Sequence, residues 1–219
     1  MSRSARWTAA VLIILVALGY ALWRELDSDP TATTGTSGPP PAAARAHRAA
    51  DTPEALAQPR VRADLRPCPA ATTGPGPQSL RGITLECAGD GTPMDVAPAV
   101  AGRPVVLNLW AYWCGPCADE LPALDEYQQR MGERVTVLTV HQDENESAGL
   151  LRLAELGVRL PMLQDGRRLM AAALKVPNVM PATVILRADG SVAGILPRPF
   201  TNADEIAAAV NPSIGVPVE

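Results

Sequence analysis

Aromatic side chains are scarce in this 219-residue chain, which has one Phe, three Tyr and four Trp. Histidine is scarcer still, at two residues, and there are only four cysteines. That shortage excludes most metal architectures. Structural zinc needs four ligands, normally a second CxxC or a His pair. Cys68, Cys87, His47 and His141 stand at no such spacing, so no metal and no cofactor is expected. Basic charge is lacking as well. The chain has 19 Lys and Arg against 23 Asp and Glu, a net charge of −4, and no basic stripe, so a nucleic-acid partner is not expected. Scarce aromatics beside abundant Ala, Pro and Gly speak of a GC-rich coding sequence rather than of a function.

What the chain does have is Cys114-Gly115-Pro116-Cys117. An apolar strand-like run, Val105 to Trp110, leads into it, and a helix-like run, Ala118 to Gln129, leads away. Cys114 therefore falls at a helix N-terminus, where unsatisfied N–H groups and the macrodipole favour a thiolate over a thiol. The thiolate is the species that attacks a disulfide. Two cysteines with two residues between them can close a small ring or open to a dithiol. The pattern points to thiol–disulfide exchange, with Cys114 attacking and Cys117 resolving.

Trp113-Cys114-Gly115-Pro116-Cys117 resembles the active-site motif of the thioredoxin superfamily, and Pro122 resembles the proline within that family's active-site helix. Val176-Pro177-Asn178-Val179-Met180-Pro181-Ala182-Thr183 resembles the segment carrying the family's cis-proline, which would be Pro181. By motif order the resemblance covers about Gln78 to Val210. It implies an α/β, thioredoxin-like fold, a central mixed sheet flanked by helices. It also implies a docking surface for protein thiols and disulfides made by Trp113, Gly115, Pro116, Met180 and Pro181, with Gly115 and Pro116 setting the redox poise of the ring.

Two departures from plain thioredoxin point to one branch. Thioredoxins carry a buried Asp six residues before the first cysteine, and here that residue is Asn108. Glu120 stands instead three residues after Cys117, one helical turn away on a neighbouring position. This combination resembles the TlpA/ResA group of membrane-anchored thiol–disulfide oxidoreductases. The resemblance further implies an N-terminal β-hairpin, for which Gly82–Cys87 and Pro93–Val96 are candidates, and a central αβ insertion at Glu144 to Leu174. Glu120 is expected to take the proton of Cys117 as a mixed disulfide resolves. The alternative is a solvated helix residue, as Asp119 should be. Asn108 should be structural, buried behind the dithiol and needing a hydrogen-bond partner.

The rest of the domain reads as alternating strands and helices. Strands are expected at Pro104–Trp110, Arg134–His141 and Leu160–Leu163, and helices at Glu144–Leu156 and Arg167–Leu174. Ala182–Arg187 and Ser191–Leu196 should form a hairpin across Asp189-Gly190 through a two-residue turn. A closing helix should begin at Asn202, a capping residue. Trp110 and Leu109 should be core. His141 ends a central strand, where a functional His is conceivable. Copper-handling relatives of the fold, however, separate their cysteines by three residues, not two. Peroxide reduction is disfavoured too, because the peroxiredoxin pattern puts a Thr where Ala111 stands.

Trp7 to Trp23 is an uncharged, largely apolar run of 17 residues. As a helix it would span roughly 26 Å, the short end of what crosses a bilayer. Arg3 and Arg6 before it favour a cytoplasmic N-terminus, residues 1–6, and an extracytoplasmic remainder. A signal-anchor at 7–23 is expected, with a cleaved signal peptide as the alternative. Residues 24–63, rich in Pro, Ala, Thr and Gly, are expected to be a disordered tether, with His47 solvated in it. The domain should then occupy 64–219. In an oxidising compartment Cys68 and Cys87 are left to pair as a structural staple, a second redox relay being the sharper alternative.

These expectations make the chain a membrane-tethered, extracytoplasmic thiol–disulfide oxidoreductase, single-pass in the cell membrane. The resemblance leans towards a reductase, with apocytochrome c cysteines as candidate substrates and a membrane electron donor or acceptor for recycling. An oxidase that makes disulfides in secreted proteins is the competing enzyme, and a non-catalytic docking module is the alternative of another class.

Overall fold

The structure, a computed structural model, describes residues 48–74 and 76–215. The expected N-terminus, anchor and tether up to residue 47, His47 included, lie outside the described residues. Among the described residues no helix is long and apolar enough to cross a membrane.

A strand from the middle of the sheet is β3, Val105–Trp110, in which every residue is buried. Its two faces feed two separate cores, as a period of two demands when both sides of a strand are covered. Val106 and Trp110 join a cluster with Leu121, Leu124, Tyr127, Leu150, Ile206 and Val210. Val105, Leu107 and Leu109 join another with Leu80, Leu85, Val96, Leu138, Val140 and Met170. Next along the chain come α3, Gly115–Met131, and β4, Thr136–His141, which lies parallel to β3.

The segment expected as an insertion supplies α4 (Glu146–Leu156), β5 (Met162–Gln164) and α5 (Leu169–Ala173). β5 pairs parallel to β4 on one side and antiparallel to β1 on the other. β1, Thr84–Cys87, forms the N-terminal hairpin with β2, Thr92–Asp95, which runs into the short α2, Val96–Ala99. The insertion is therefore the seam that joins the hairpin to the central strands. On the far side β6 (Ala182–Leu186) and β7 (Val192–Leu196) complete a seven-stranded mixed sheet of order β2-β1-β5-β4-β3-β6-β7. The closing helix is α6, Ala203–Ile214, capped by the Asn202 side chain on the Glu205 amide.

Two expectations need correcting. The tether does not remain irregular to residue 63, because Pro53–Ala63 is a helix, α1. Thr52 caps it, Pro53 occupies its first turn where the missing N–H costs nothing, and Asp64 ends it in the left-handed region. Leu56, Pro59 and Ala63 form its buried face. Arg60 anchors it, donating to Glu86 and, at 3.1 Å, to Glu146 and also to the Ala88 carbonyl. Tertiary contacts thus outweigh the helix-breaking Pro59. The β6–β7 turn also differs. Arg187 N–H bonds Ser191 C=O and Gly190 N–H bonds Arg187 C=O. That is a three-residue connection with Gly190 at φ +82, the positive-φ site such loops require.

A disulfide joins Cys68 to Cys87 with Cα atoms 6.0 Å apart, tying the segment after α1 to the end of β1. Closing a loop of this length should be worth roughly 3 kcal/mol. Urea unfolding of a Cys68→Ser, Cys87→Ser double variant should show that loss while the Cys114–Cys117 pair still titrates normally. An unchanged midpoint would mean that the bridge does not hold the domain together.

Candidate active site

β3 ends at Trp110, and Ala111-Tyr112-Trp113 carry the chain over the end of the sheet to Cys114, the N-cap of α3. Cys114 Sγ accepts the Cys117 N–H at 3.3 Å. Gly115 and Pro116 fill the first two helical positions, where Pro has no bond to lose. The two cysteines are disulfide-bonded, with Cα atoms 5.3 Å apart. Cys114 is 6% exposed and Cys117 is fully buried. Trp113 beside them is 58% exposed, while Gly115 and Pro116 are exposed too. Pro122 lies inside α3, which runs on through it.

The Met180–Pro181 peptide bond is cis. In the antiparallel β3–β6 ladder Leu109 opposes Ala182. β6 begins at Ala182, so Met180 and Pro181 directly precede the end of this ladder, the end from which β3 leads into the dithiol loop. Pro181 is buried and Met180 partly so. Val179 before them is 41% exposed.

Behind the dithiol, Glu120 is completely buried on α3. Its Oε2 accepts Asn108 Nδ2 from β3 at 3.0 Å, so the two departures from the thioredoxin pattern are partners. Burial raises the Glu120 carboxyl to about 7, against the opposing pull of the Asn108 amide, the Phe200 backbone amide and Arg198. A carboxyl so poised near neutrality exchanges protons readily. Cys117, three residues earlier on the same helix, occupies a neighbouring position. Asp119 is exposed.

His141 is also buried, and burial lowers its pKa. Both ring nitrogens are engaged. Nε2 accepts the Tyr112 N–H at 3.4 Å, and Nδ1 lies 2.9 Å from Gln164 Oε1. The neutral Nδ1–H tautomer satisfies both contacts. The ring also packs against Trp110, with centroids 5.0 Å apart. His141 therefore holds the backbone of the loop before Cys114.

Sequence reasoning missed Asp143. Its Oδ2 accepts the Trp113 indole N–H at 2.9 Å, while Oδ1 accepts the Asn145 N–H. An Asp two residues ahead of the helix-capping Asn145 was the available signal, one that speaks of a turn rather than of an active site.

Residues 67–210 match the Redoxin family. Thioredoxin 1 of Synechococcus elongatus is 34% identical over 86 residues, 37% of this chain and 77% of that protein. The thiol–disulfide oxidoreductase ResA of Bacillus subtilis is 27% identical over 103 residues, 47% of this chain but only 57% of ResA. Among solved structures, a secreted Mycobacterium tuberculosis disulfide oxidoreductase homologous to E. coli DsbE superposes with a TM-score of 0.51 at 25% identity. That likeness covers 60% of this chain and 98% of the other.

Proposed function

We infer that this chain, which belongs to the Redoxin family and is a thiol–disulfide oxidoreductase of the thioredoxin type, works as a reductant of protein disulfides. The observation that carries the inference is the arrangement on α3: Cys114 at the helix N-cap, Cys117 buried inside the first turn and Glu120 buried one turn further on.

In the reduced enzyme the Cys114 thiolate attacks one sulfur of a substrate disulfide. An S–S bond forms to Cys114, the substrate S–S bond breaks, and the leaving sulfur departs as a thiolate that takes a proton from water. Cys117 then gives its proton to Glu120 and attacks Cys114 Sγ. This releases the second substrate sulfur, which is protonated in turn, and leaves the Cys114–Cys117 disulfide. Two electrons pass from the dithiol to the substrate. Recycling needs a dithiol or other two-electron donor, for which a membrane partner is proposed.

The reducing direction is supported by the Gly115-Pro116 dipeptide between the cysteines, the pair that completes the thioredoxin-like motif Trp113-Cys114-Gly115-Pro116-Cys117. We place the domain outside the cytoplasm, tethered through residues 7–23. The Cys68–Cys87 bridge supports that compartment, since structural disulfides persist where conditions are oxidising. Apocytochrome c cysteines are the proposed substrates.

The reduction potential of the Cys114–Cys117 couple tests the direction. Equilibration with graded thiol buffers, followed through Trp113 fluorescence, should give a value near that of thioredoxin, about −270 mV. A value near that of DsbA, about −120 mV, would make the protein an oxidase.

A further inference from the structure

Two segments flank the dithiol, and each carries an exposed apolar side chain. Trp113 stands on the loop after β3, and Val179 on the segment before β6. One residue of the insertion is bonded to the supports of both. Arg168 Nε donates to Gln142 Oε1 at 3.2 Å, and Arg168 Nη1 donates to Asn178 Oδ1.

Each bond lies one residue away from a flanking side chain or from the residue that holds one. Gln142 adjoins Asp143, which holds the Trp113 indole. Asn178 adjoins Val179 and stands three residues before Pro181. Gln142 is itself fixed, because its Nε2 donates to buried Asp165 Oδ2 at 3.0 Å. Asp165 in turn accepts the Leu169 and Met170 amides at the start of α5. Arg168 springs from this rigid turn with φ +56, in the left-handed region where glycine is the economical choice. A side chain held in that backbone conformation invites the question of what it does there.

We propose that Arg168 is a positioning residue that braces the Trp113 side of the active site against the cis-proline segment, fixing the gap into which an extended polypeptide substrate must fit. The inference rests on the functional reading above. A small disulfide needs only Cys114 and is indifferent to the gap, whereas a protein disulfide brings its flanking chain and must meet both segments at once. The insertion thus selects polypeptide disulfides over small ones, and the central elements carry the chemistry.

The experiment compares the full-length wild type, Arg168→Ala, Asn178→Ala and the double variant on two probes, insulin disulfides and 5,5′-dithiobis(2-nitrobenzoate). Arg168→Ala should raise KM for insulin about tenfold, the scale of a lost charge-assisted hydrogen bond, with kcat and the small-probe rate unchanged. Asn178→Ala should reproduce much of the rise, and the double variant should exceed neither single variant by the full product, as expected for coupled residues. An unchanged insulin KM in both single variants would overturn the proposal, as would equal losses on the two probes. Should Arg168→Ala fail to fold, Asn178→Ala alone decides by the same KM criterion. A wild type that reduces neither probe would overturn the functional reading and this inference with it.

Discussion

Cys114→Ser should abolish disulfide exchange, with turnover of insulin disulfides falling by roughly 10⁴-fold or more, because the attacking nucleophile is gone. Cys117→Ser should behave differently. It keeps the nucleophile but not the resolving thiol, so it should attack once and stop, accumulating a mixed disulfide with its substrate through Cys114. Mass spectrometry of the trapped adduct identifies the linked residue. The asymmetry has a structural basis, since Cys114 retains 6% exposure at the helix cap while Cys117 has none. Alkylation of the reduced protein with limiting reagent should label Cys114 first. Preferential labelling of Cys117, or a Cys114→Ser variant that still turns over, would reverse the assignment.

Glu120→Gln should slow resolution of the mixed disulfide by about 10²-fold or more, the usual worth of a general base acting in the transition state. Gln can still accept the Asn108 amide hydrogen but cannot take a proton. In the wild type the resolving step should accelerate as pH rises through about 7, where Glu120 becomes a base, and this inflection should vanish in the variant. Stopped-flow kinetics across that range measures it. An unchanged pH–rate profile would leave Glu120 without a part in the chemistry.

Stability gives a second readout with a defined sign. The folded-state pKa of Glu120 is raised from 4.5 to about 7, so the folded protein holds this proton more tightly than the unfolded chain. The corresponding stability is fully present below about 4.5 and is lost as pH rises through about 7. The difference amounts to about 3 kcal/mol at an energy of about 1.4 kcal/mol per pKa unit. Relative to wild type, the oxidised Glu120→Gln protein should therefore gain stability between those limits in urea melts. No relative change between acidic and neutral pH would refute the raised carboxyl.

The dithiol end of the molecule was legible in the sequence for a physical reason. An unbroken apolar strand, a helix cap and CGPC are consecutive in the chain, so local rules suffice. Asn108 and Glu120 could each be singled out, one as a polar residue in an apolar strand and the other by helical spacing, but their hydrogen bond spans 12 residues and appears only in the fold. The brace at Arg168 was illegible. Gln142 lies 26 residues before it and Asn178 ten after, all three are polar, and none carries a periodic signal. Helix α1 was hidden for another reason. Its buried face is small, it contains Pro59, and Arg60 draws its stability from Glu86 and Glu146, 26 and 86 residues away. No local propensity reports such partners.

The docking of α1 also sets a mechanical property. A pull on the chain ahead of residue 48 is first opposed by the Arg48–Asp51 ion pair, by Asp51 gripping the Glu146 amide, and by the ion pairs of Arg60. If these yield and α1 peels away, the load meets the ion pair of Arg66 with Asp125 on α3 and then Cys68, where the covalent bridge transfers it to β1 and bypasses the residues between. β1 lies three strands away from β3, with β5 and β4 between them. The N-terminal helix acts as a sacrificial spring and the second disulfide as a stop, so much of any tension applied ahead of residue 48 is taken up before it reaches β3, the strand that leads into the dithiol loop.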